Sequence, residues 1–305
     1  MNEEQAMFVI FGASGKVGSV TVNQLHAAGH AVRAVVRSNE QASRFSAMGC
    51  ETAIANLTDR DSVQRAIKGA TAVQILCPIP AGDPDPESTM RAMIDIAAQA
   101  LRVDAPAAVL ALSDYGAELP EGTGITLLYH YLEQQLLSLP TRLTFLRAAE
   151  HIENWARLAS TAFYKGMLPS LHHPLDKPFP TVSAHDVGMI AAQLLTADAP
   201  THSPRIVSVE GPRRVSANDV AAALCAVLER NVAAVELPRG EWEATLQRAG
   251  LSGKHTKLIT ELYDTHNAGK IDFESGNTER RFGATELAEA LAAMRWARSL
   301  IEHPA

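Results

Sequence analysis

Cysteine is scarce in this chain. Cys50, Cys77 and Cys225 are its three thiols among 305 residues, far apart and with no C-x-x-C pair. An odd, dispersed set supplies neither a disulfide framework nor a zinc cluster, and this is the usage of a reducing compartment. Long apolar runs are absent too. None approaches the roughly 18 residues that a membrane span requires, and the acidic, polar start at residues 1–5 does not read as a signal peptide. A cytoplasmic location is therefore expected. There is also no basic tract. With 27 Lys and Arg against 34 Asp and Glu, the formal net charge is -7, which argues against a direct nucleic-acid surface. Composition is otherwise that of a globular protein able to bury a core without staples, 47% hydrophobic and 20% charged.

What is present is a rhythm. Residues 7–11 form an apolar strand, followed by a glycine loop and a helix on which Val17, Val20, Leu25 and Ala28 recur at helical spacing. Strands are expected at 31–36, 51–55, 72–77, 107–113 and 142–146. Helices are expected between them at 39–48, 59–70, 87–101 and 125–139, with Pro78 and Pro80 stopping the fourth strand. Strand, crossover helix, strand, repeated, predicts an α/β fold: a Rossmann-type doubly wound parallel sheet.

After Arg147 the rhythm breaks, and Pro169, Pro174, Pro178 and Pro180 mark loop. Two βα-like units follow, 205–209 with 216–230 and 233–237 with 241–249, then helices at 257–267 and 285–301 without a nearby strand. This predicts a dinucleotide-binding domain over 1–150 and a smaller α-rich lobe over 151–305, interleaved with the sheet at 181–211.

The loop Gly12-Ala13-Ser14-Gly15-Lys16-Val17-Gly18 lies between the first strand and the first helix, where a phosphate site needs it. Gly12 permits the tight turn, Gly15 lets the backbone approach a pyrophosphate, and Gly18 lets helix pack on strand; the phosphates then rest on unpaired N–H groups at the positive helix end. An NAD binder usually places an acid about 20 residues beyond the loop. Here the second strand ends Val35-Val36-Arg37-Ser38. Arg37 can clamp a 2′-phosphate bidentately, with Lys16 as a second cation, so NADP(H) is favoured over NAD(H). The plain alternative is that Arg37 is a solvated strand-end residue.

Together with this loop, several further segments resemble the NmrA-like group of atypical short-chain dehydrogenases/reductases. They are Val35-Val36-Arg37, Asn56-Leu57-Thr58-Asp59, Leu76-Cys77-Pro78, Leu112-Ser113, Thr144 to Arg147, Glu153-Asn154, Thr181 to Gly188 and Val209 to Pro212. The resemblance covers most of the chain. It implies cofactor contacts at Gly12, Ser14, Gly15, Lys16, Val17, Gly18, Arg37, Asn56, Leu57, Pro78 and Ser113. Asn56 stands where the group usually has an Asp that reads the adenine amine, and keeps an acceptor oxygen for that role. Pro78 would line the nicotinamide ribose, and residues 147–155 would wall the pocket beside it, with Arg147, His151, Asn154 and Trp155 as candidate substrate contacts.

The chain departs from the wider superfamily in one respect. That superfamily uses Tyr-x-x-x-Lys, whose lysine lowers the tyrosine pKa. Here Tyr129 is followed by Glu133, Tyr131 by Gln135 and Tyr115 by Leu119, and no lysine occurs between Lys68 and Lys165. Tyr129, His130 and Tyr115 remain as candidate catalytic groups. Without the relay, the expected activity is NADPH-dependent reduction of a quinone-like or other conjugated, electron-poor molecule, for which proximity matters more than a strong acid. The alternative is a redox sensor that binds NADP(H) and acts on a protein partner, as monomer or homodimer. His172-His173 has the look of a metal pair, but it has no spaced carboxylate and reads as loop, so no metal site is expected.

Overall fold

The computed structural model describes residues 6–79, 82–198, 202–276 and 278–294. Its first half alternates as the periodicity requires: β1 (Met7–Phe11), α1 (Lys16–Ala27), β2 (Ala31–Val36), α2 (Asn39–Ser46), β3 (Glu51–Ile54), α3 (Arg60–Ile67), β4 (Ala72–Ile75), α4 (Pro86–Val103), β5 (Ala108–Asp114), α5 (Leu127–Leu136) and β6 (Arg142–Ala148). The helix starts are chemically marked. Ser38 and Asp85 accept N–H bonds at the starts of α2 and α4, and Pro86 opens α4 where its missing N–H costs nothing. Pro80 and residues 295–301 of the expected final helix lie outside the described residues.

The second half adds β7 (Glu150–His151), α6 (Ala159–Lys165), β8 (Met167–Ser170), β9 (Thr181–Val182), α7 (Ala184–Thr196), β10 (Arg205–Glu210), α8 (Ala217–Leu228), β11 (Ala233–Glu236), α9 (Trp242–Arg248), α10 (Gly253–Asn267), β12 (Glu279–Phe282) and α11 (Leu287–Ala292). Eight strands form one parallel sheet in the order β12-β10-β6-β5-β4-β1-β2-β3. The direction in which successive strands are added reverses between β1 and β4, which opens the crevice where doubly wound sheets bind their ligands. The strand β12 is absent from the sequence reading, which left the terminal helices without one. Its Glu-Arg-Arg-Phe stretch carries no apolar alternation, because it is an edge strand whose charged side chains face solvent. The unit expected at 233–237 also does not join this sheet; β11 pairs with β8 in a separate two-stranded ribbon.

Both faces of the sheet are covered, so its strands read as near-continuous apolar runs. Val9, Val73, Ile75, Val109 and Phe145 pack under α3, α4 and α5. Phe8, Ile10 and Ala34 pack under α1 and α2, and Leu112, Leu146 and Val209 under α7. A separate core around Phe163, Leu168, Leu224 and Leu291 holds α6, α8 and α11 together.

Helices α1 and α7 pack closely across Gly188. A Cβ placed there would lie 2.6 Å from Val20 Cβ and 2.7 Å from the Val17 carbonyl oxygen. Gly188→Ala therefore forces the two helices apart. We expect a loss of about 2–3 kcal/mol in urea unfolding; a change below half of that would show that the packing relaxes freely.

Candidate functional site

The site begins where β1 ends. Gly12 turns at φ +68°, and Gly15 N–H donates to the Gly12 carbonyl at 2.8 Å, closing a tight loop. A Cβ at Gly18 would sit 2.3 Å from the Gly12 oxygen, so only glycine lets α1 start this close to the strand. No side chain caps α1 and its first turn holds no acid. The opening N–H groups of that helix are thus left for an anion, with the positive end of the macrodipole behind them. Ser14, Gly15 and Lys16 are exposed on this rim, whereas Val17 and Gly18 are buried beneath it. The cradle fits a pyrophosphate by shape and by charge.

Ala13 N–H donates to Val35 O at 3.2 Å and ties the loop to β2, whose end carries Arg37. The Arg37 backbone is held by Gln41 Oε1 at 3.0 Å and its guanidinium is exposed. Next to it, beyond β3, Asn56 is exposed, and its Oδ1 accepts the Thr58 N–H at 3.1 Å. That bond fixes the amide and leaves the oxygen one further lone pair. Leu57 packs against the α3–α4 core. On the other side of the crevice, Leu76 closes against Gly12 and Pro78 is exposed. Cys77 is fully buried, and burial pushes its thiol up to about 12, so it is no nucleophile.

Ser113 and Arg147, on adjacent strands, belong to one buried cluster. Arg147 Nε and Nη2 grip both oxygens of Glu133 at 2.9 and 2.7 Å, while Nη1 reaches Glu118 at 2.9 Å and Glu274 at 2.7 Å. Ser113 Oγ donates to Glu133 Oε1 at 2.6 Å. Arg147 is only 3% exposed. Its guanidinium is therefore committed to protein carboxylates, and it does not face a substrate as the sequence reading expected. The pocket role of this residue yields to a bracing one.

The three candidate catalytic groups are not brought together. Tyr115 packs with Leu112 and Ile271 in the core beneath α7, and burial holds its phenol well above the ordinary range. His130 is tied by Nδ1 to the Ala117 carbonyl at 2.8 Å. Tyr129 packs on the opposite core, and burial, with Asp114 and Cys77 nearby, raises its phenol also. Tyr129 is thus a poor acid, able to donate a hydrogen bond but not to ionise.

Beyond β6 the chain leans over the glycine loop. His151 lies within the influence of Lys16, and burial first, then that ammonium, hold its pKa down against the pull of Glu153. Glu153 itself accepts the Ala184 N–H with both oxygens. Asn154 is exposed, and Trp155 is buried in a stack with Phe179 and His172. The two histidines of the supposed metal pair diverge: His172 Nε2 meets Glu150 at 2.7 Å and His173 Nδ1 meets Glu236 at 2.7 Å.

Sequence reasoning missed Asp114, Glu150, Tyr263 and His266. Tyr263 donates to Glu150 at 3.2 Å, and its ring meets those of His172 and His266. Asp114 ends β5 and accepts the Thr126 hydroxyl at 2.7 Å. A signal for Asp114 and Glu150 was available, since Asp114 ends β5 and Glu150 follows the end of β6, on the carboxyl edge of the sheet where such folds bind ligands. His266 is contributed by α10, which no local pattern links to the sheet. An open depression lined by Leu137, Arg142 and Pro204 lies at the amino ends of β5 and β6, the wrong edge for this chemistry.

Two consequences are measurable. Arg147→Met leaves three carboxylates facing one another without their cation, and should cost about 3–5 kcal/mol in urea at pH 7. The loss should be smaller at pH 5, because burial raises the Glu118 pKa and brings that carboxylate nearer to neutral; equal losses at both values would contradict the pairing. Burial lowers the His266 pKa to about 4. The unfolded chain binds that proton near pH 6.5 and the native one resists it, so stability falls as pH drops through this interval. We expect the difference between the wild type and His266→Gln to change by on the order of 2–3 kcal/mol between pH 7 and 4, with a flat difference as the contrary result.

Comparison with known proteins agrees with this geometry. Residues 12–133 match the model of an NAD(P)H-binding family. An NAD(P)H azoreductase of Xenophilus azovorans is 26% identical over 261 residues, 84% of this chain and 86% of that one. Among solved structures, a triphenylmethane reductase of Citrobacter sp. superposes with a TM-score of 0.73 at 17% identity, over 97% of this chain and 98% of that one. An NADPH-dependent quinone oxidoreductase from Escherichia coli, complexed with NADPH, gives 0.76 at 18%, over 94% and 98%. NmrA, a negative transcriptional regulator in complex with NAD, gives 0.72 at 17%, over 99% and 95%. No described helix is long and apolar enough to cross a membrane. Over residues 12–133 the chain is thus similar to an NAD(P)H-binding family, and as a whole it shares its fold with these reductases and with NmrA.

Proposed function

We propose that this protein is an NADPH-dependent reductase of conjugated, electron-poor small molecules, with quinones and azo compounds as the nearest classes. One observation carries the reading. Where carbonyl–alcohol chemistry would need a hydroxyl, a phenol and an ammonium, Ser113 is locked onto Glu133 and Glu133 onto Arg147. A dinucleotide cradle beside a closed ion-pair cluster suits acceptors whose own electron deficiency drives the transfer. When bound, the reduced nicotinamide supplies the hydride. The chain holds the diphosphate on α1, tethers the ribose side near Pro78, and covers the crevice with the segment around His151. The azoreductase relative supports the same class of acceptor, as do the dye and quinone reductases of like fold.

The preference for NADPH is assigned to Arg37 and Lys16. Both are exposed at the rim, and no acid lies between Val35 and Ser38 to repel a 2′-phosphate. A second reading, a redox sensor acting on a protein partner, draws on the likeness to the regulator NmrA and on the same missing lysine. A sensor must bind oxidised and reduced coenzyme with unequal affinity, since equal binding shifts no equilibrium.

Calorimetry and steady-state assays separate these. Arg37→Ala should weaken NADPH binding about 10- to 100-fold, one lost bidentate phosphate contact, and leave NADH within about threefold. Wild-type protein should oxidise NADPH in the presence of a benzoquinone or an azo dye. No acceptor-dependent oxidation across such a panel would end the reductase reading, and unequal NADP+ and NADPH affinities would then favour the sensor.

A further inference from the structure

The carboxyl edge of the sheet holds an acid that the locked cluster does not use. Asp114 follows Ser113 directly at the end of β5, but its side chain leaves the Arg147 cluster and turns to the Thr126 hydroxyl, which donates to Oδ2 at 2.7 Å. Its backbone is in register with Ala148 of β6, and three residues earlier Ala111 is paired with Ile75 of β4. The strand therefore carries Asp114 to the level of the Cys77-Pro78 segment beside the crevice. The same locality is reported by Tyr129, whose phenol senses both Asp114 and Cys77.

Among the described residues, the charges that act most on Asp114 are negative. Glu150 lies on β7 and Glu118 on the loop after β5, and neither compensates it; the Tyr129 phenol of α5 is neutral. Arg147, the nearest cation of the adjoining cluster, is consumed by Glu133, Glu118 and Glu274. Burial first, then these carboxylates, raise the Asp114 pKa to about 7, against the Thr126 and Tyr115 hydrogen bonds that lower it. A half-buried carboxylic acid poised in this way can give a proton at neutral pH and recover it from solvent.

We propose that Asp114 is the proton donor of this site, and that it divides the acceptors into those that need it and those that do not. The inference rests on the reductase reading. A quinone becomes a hydroquinone by gaining a hydride, with its electron pair, and a proton; the coenzyme is oxidised, and the proton passes from Asp114 to the quinone oxygen. Where the hydride lands on a ring carbon, that carbon releases the hydrogen to solvent as a proton on rearomatisation while the second oxygen takes one up, so the product gains two hydrogens in all; the Asp114 carboxylate regains its proton from solvent. A cationic triarylmethane dye differs: hydride addition to its central carbon gives the neutral leuco form, with no proton transferred. One site can then serve both classes, and only the first depends on the carboxyl group.

The test compares wild type and Asp114→Asn with a benzoquinone and with a cationic triarylmethane dye, under saturating NADPH. The expected result is a fall of about 10²-fold or more in kcat for the quinone, with the dye rate within about threefold. The wild-type quinone rate should also decline above an inflection near pH 7 that the variant lacks. A readout independent of turnover uses the coenzyme-free protein. The infrared difference between wild type and Asp114→Asn should show a neutral carboxyl carbonyl band at pH 6 that disappears by pH 8. Equal effects on both acceptors, no effect on either, or no such band at pH 6 overturns the donor assignment and leaves the reductase reading intact. A wild-type protein that reduces neither acceptor ends that reading and this assignment with it, whatever the infrared spectrum shows.

Discussion

The arrangement depends on how closely one helix can approach its neighbours. Helix α1 meets the turn of Gly12 at one end and the flank of α7 along its side, and each contact tolerates only a hydrogen where other residues carry a β-carbon. Because the helix is seated this deeply, its opening N–H groups lie at the level of the strand ends instead of above them. The α1–α7 contact has a second effect. It draws the chain after β6, including His151 and the Glu153 that anchors the start of α7, over the same rim. Cofactor cradle and cover are thus set by a single packing geometry.

Charge is distributed with equal economy around β5 and β6. Arg147 joins α5, the loop after β5 and the segment near Glu274 through one guanidinium, a fork geometry that lysine cannot supply. That hub explains why a polar residue can occupy a strand position facing the α5 core. It also separates two neighbouring residues in function: Ser113 is drawn inward to the cluster, while Asp114 is left without a cation. The uncompensated carboxyl beside a saturated ion pair is the chemical asymmetry of the site.

Much of the architecture was legible because the parallel sheet is buried on both faces, which leaves apolar runs bounded by glycine, proline and capping residues. The helix at 87–101 and the strand at 107–113 differ from α4 and β5 by one or two residues at their ends, the scale at which helix termini fray. The glycine loop was legible for a different reason, since each of its glycines answers a steric demand. β12 was not, because an edge strand of charged residues has no period to read. Nor was the fate of Arg147: a cation before a predicted pocket looks the same in sequence whether it greets a substrate or three carboxylates brought from distant segments. Glu150, His172, Tyr263 and His266 converge only through tertiary packing of α10 and the proline-rich loop.

The outermost strand has a bearing on how the molecule is made. β12 docks in parallel on β10, and α8, α9 and α10 all intervene between the two. During vectorial synthesis on the ribosome, β10 must therefore wait with one edge bare until nearly the whole chain has emerged. Pairing over such a separation is slow and leaves a partly built sheet open to non-native partners. The charged side chains of β12 then serve the finished protein as well, since they present an edge that discourages further strand addition.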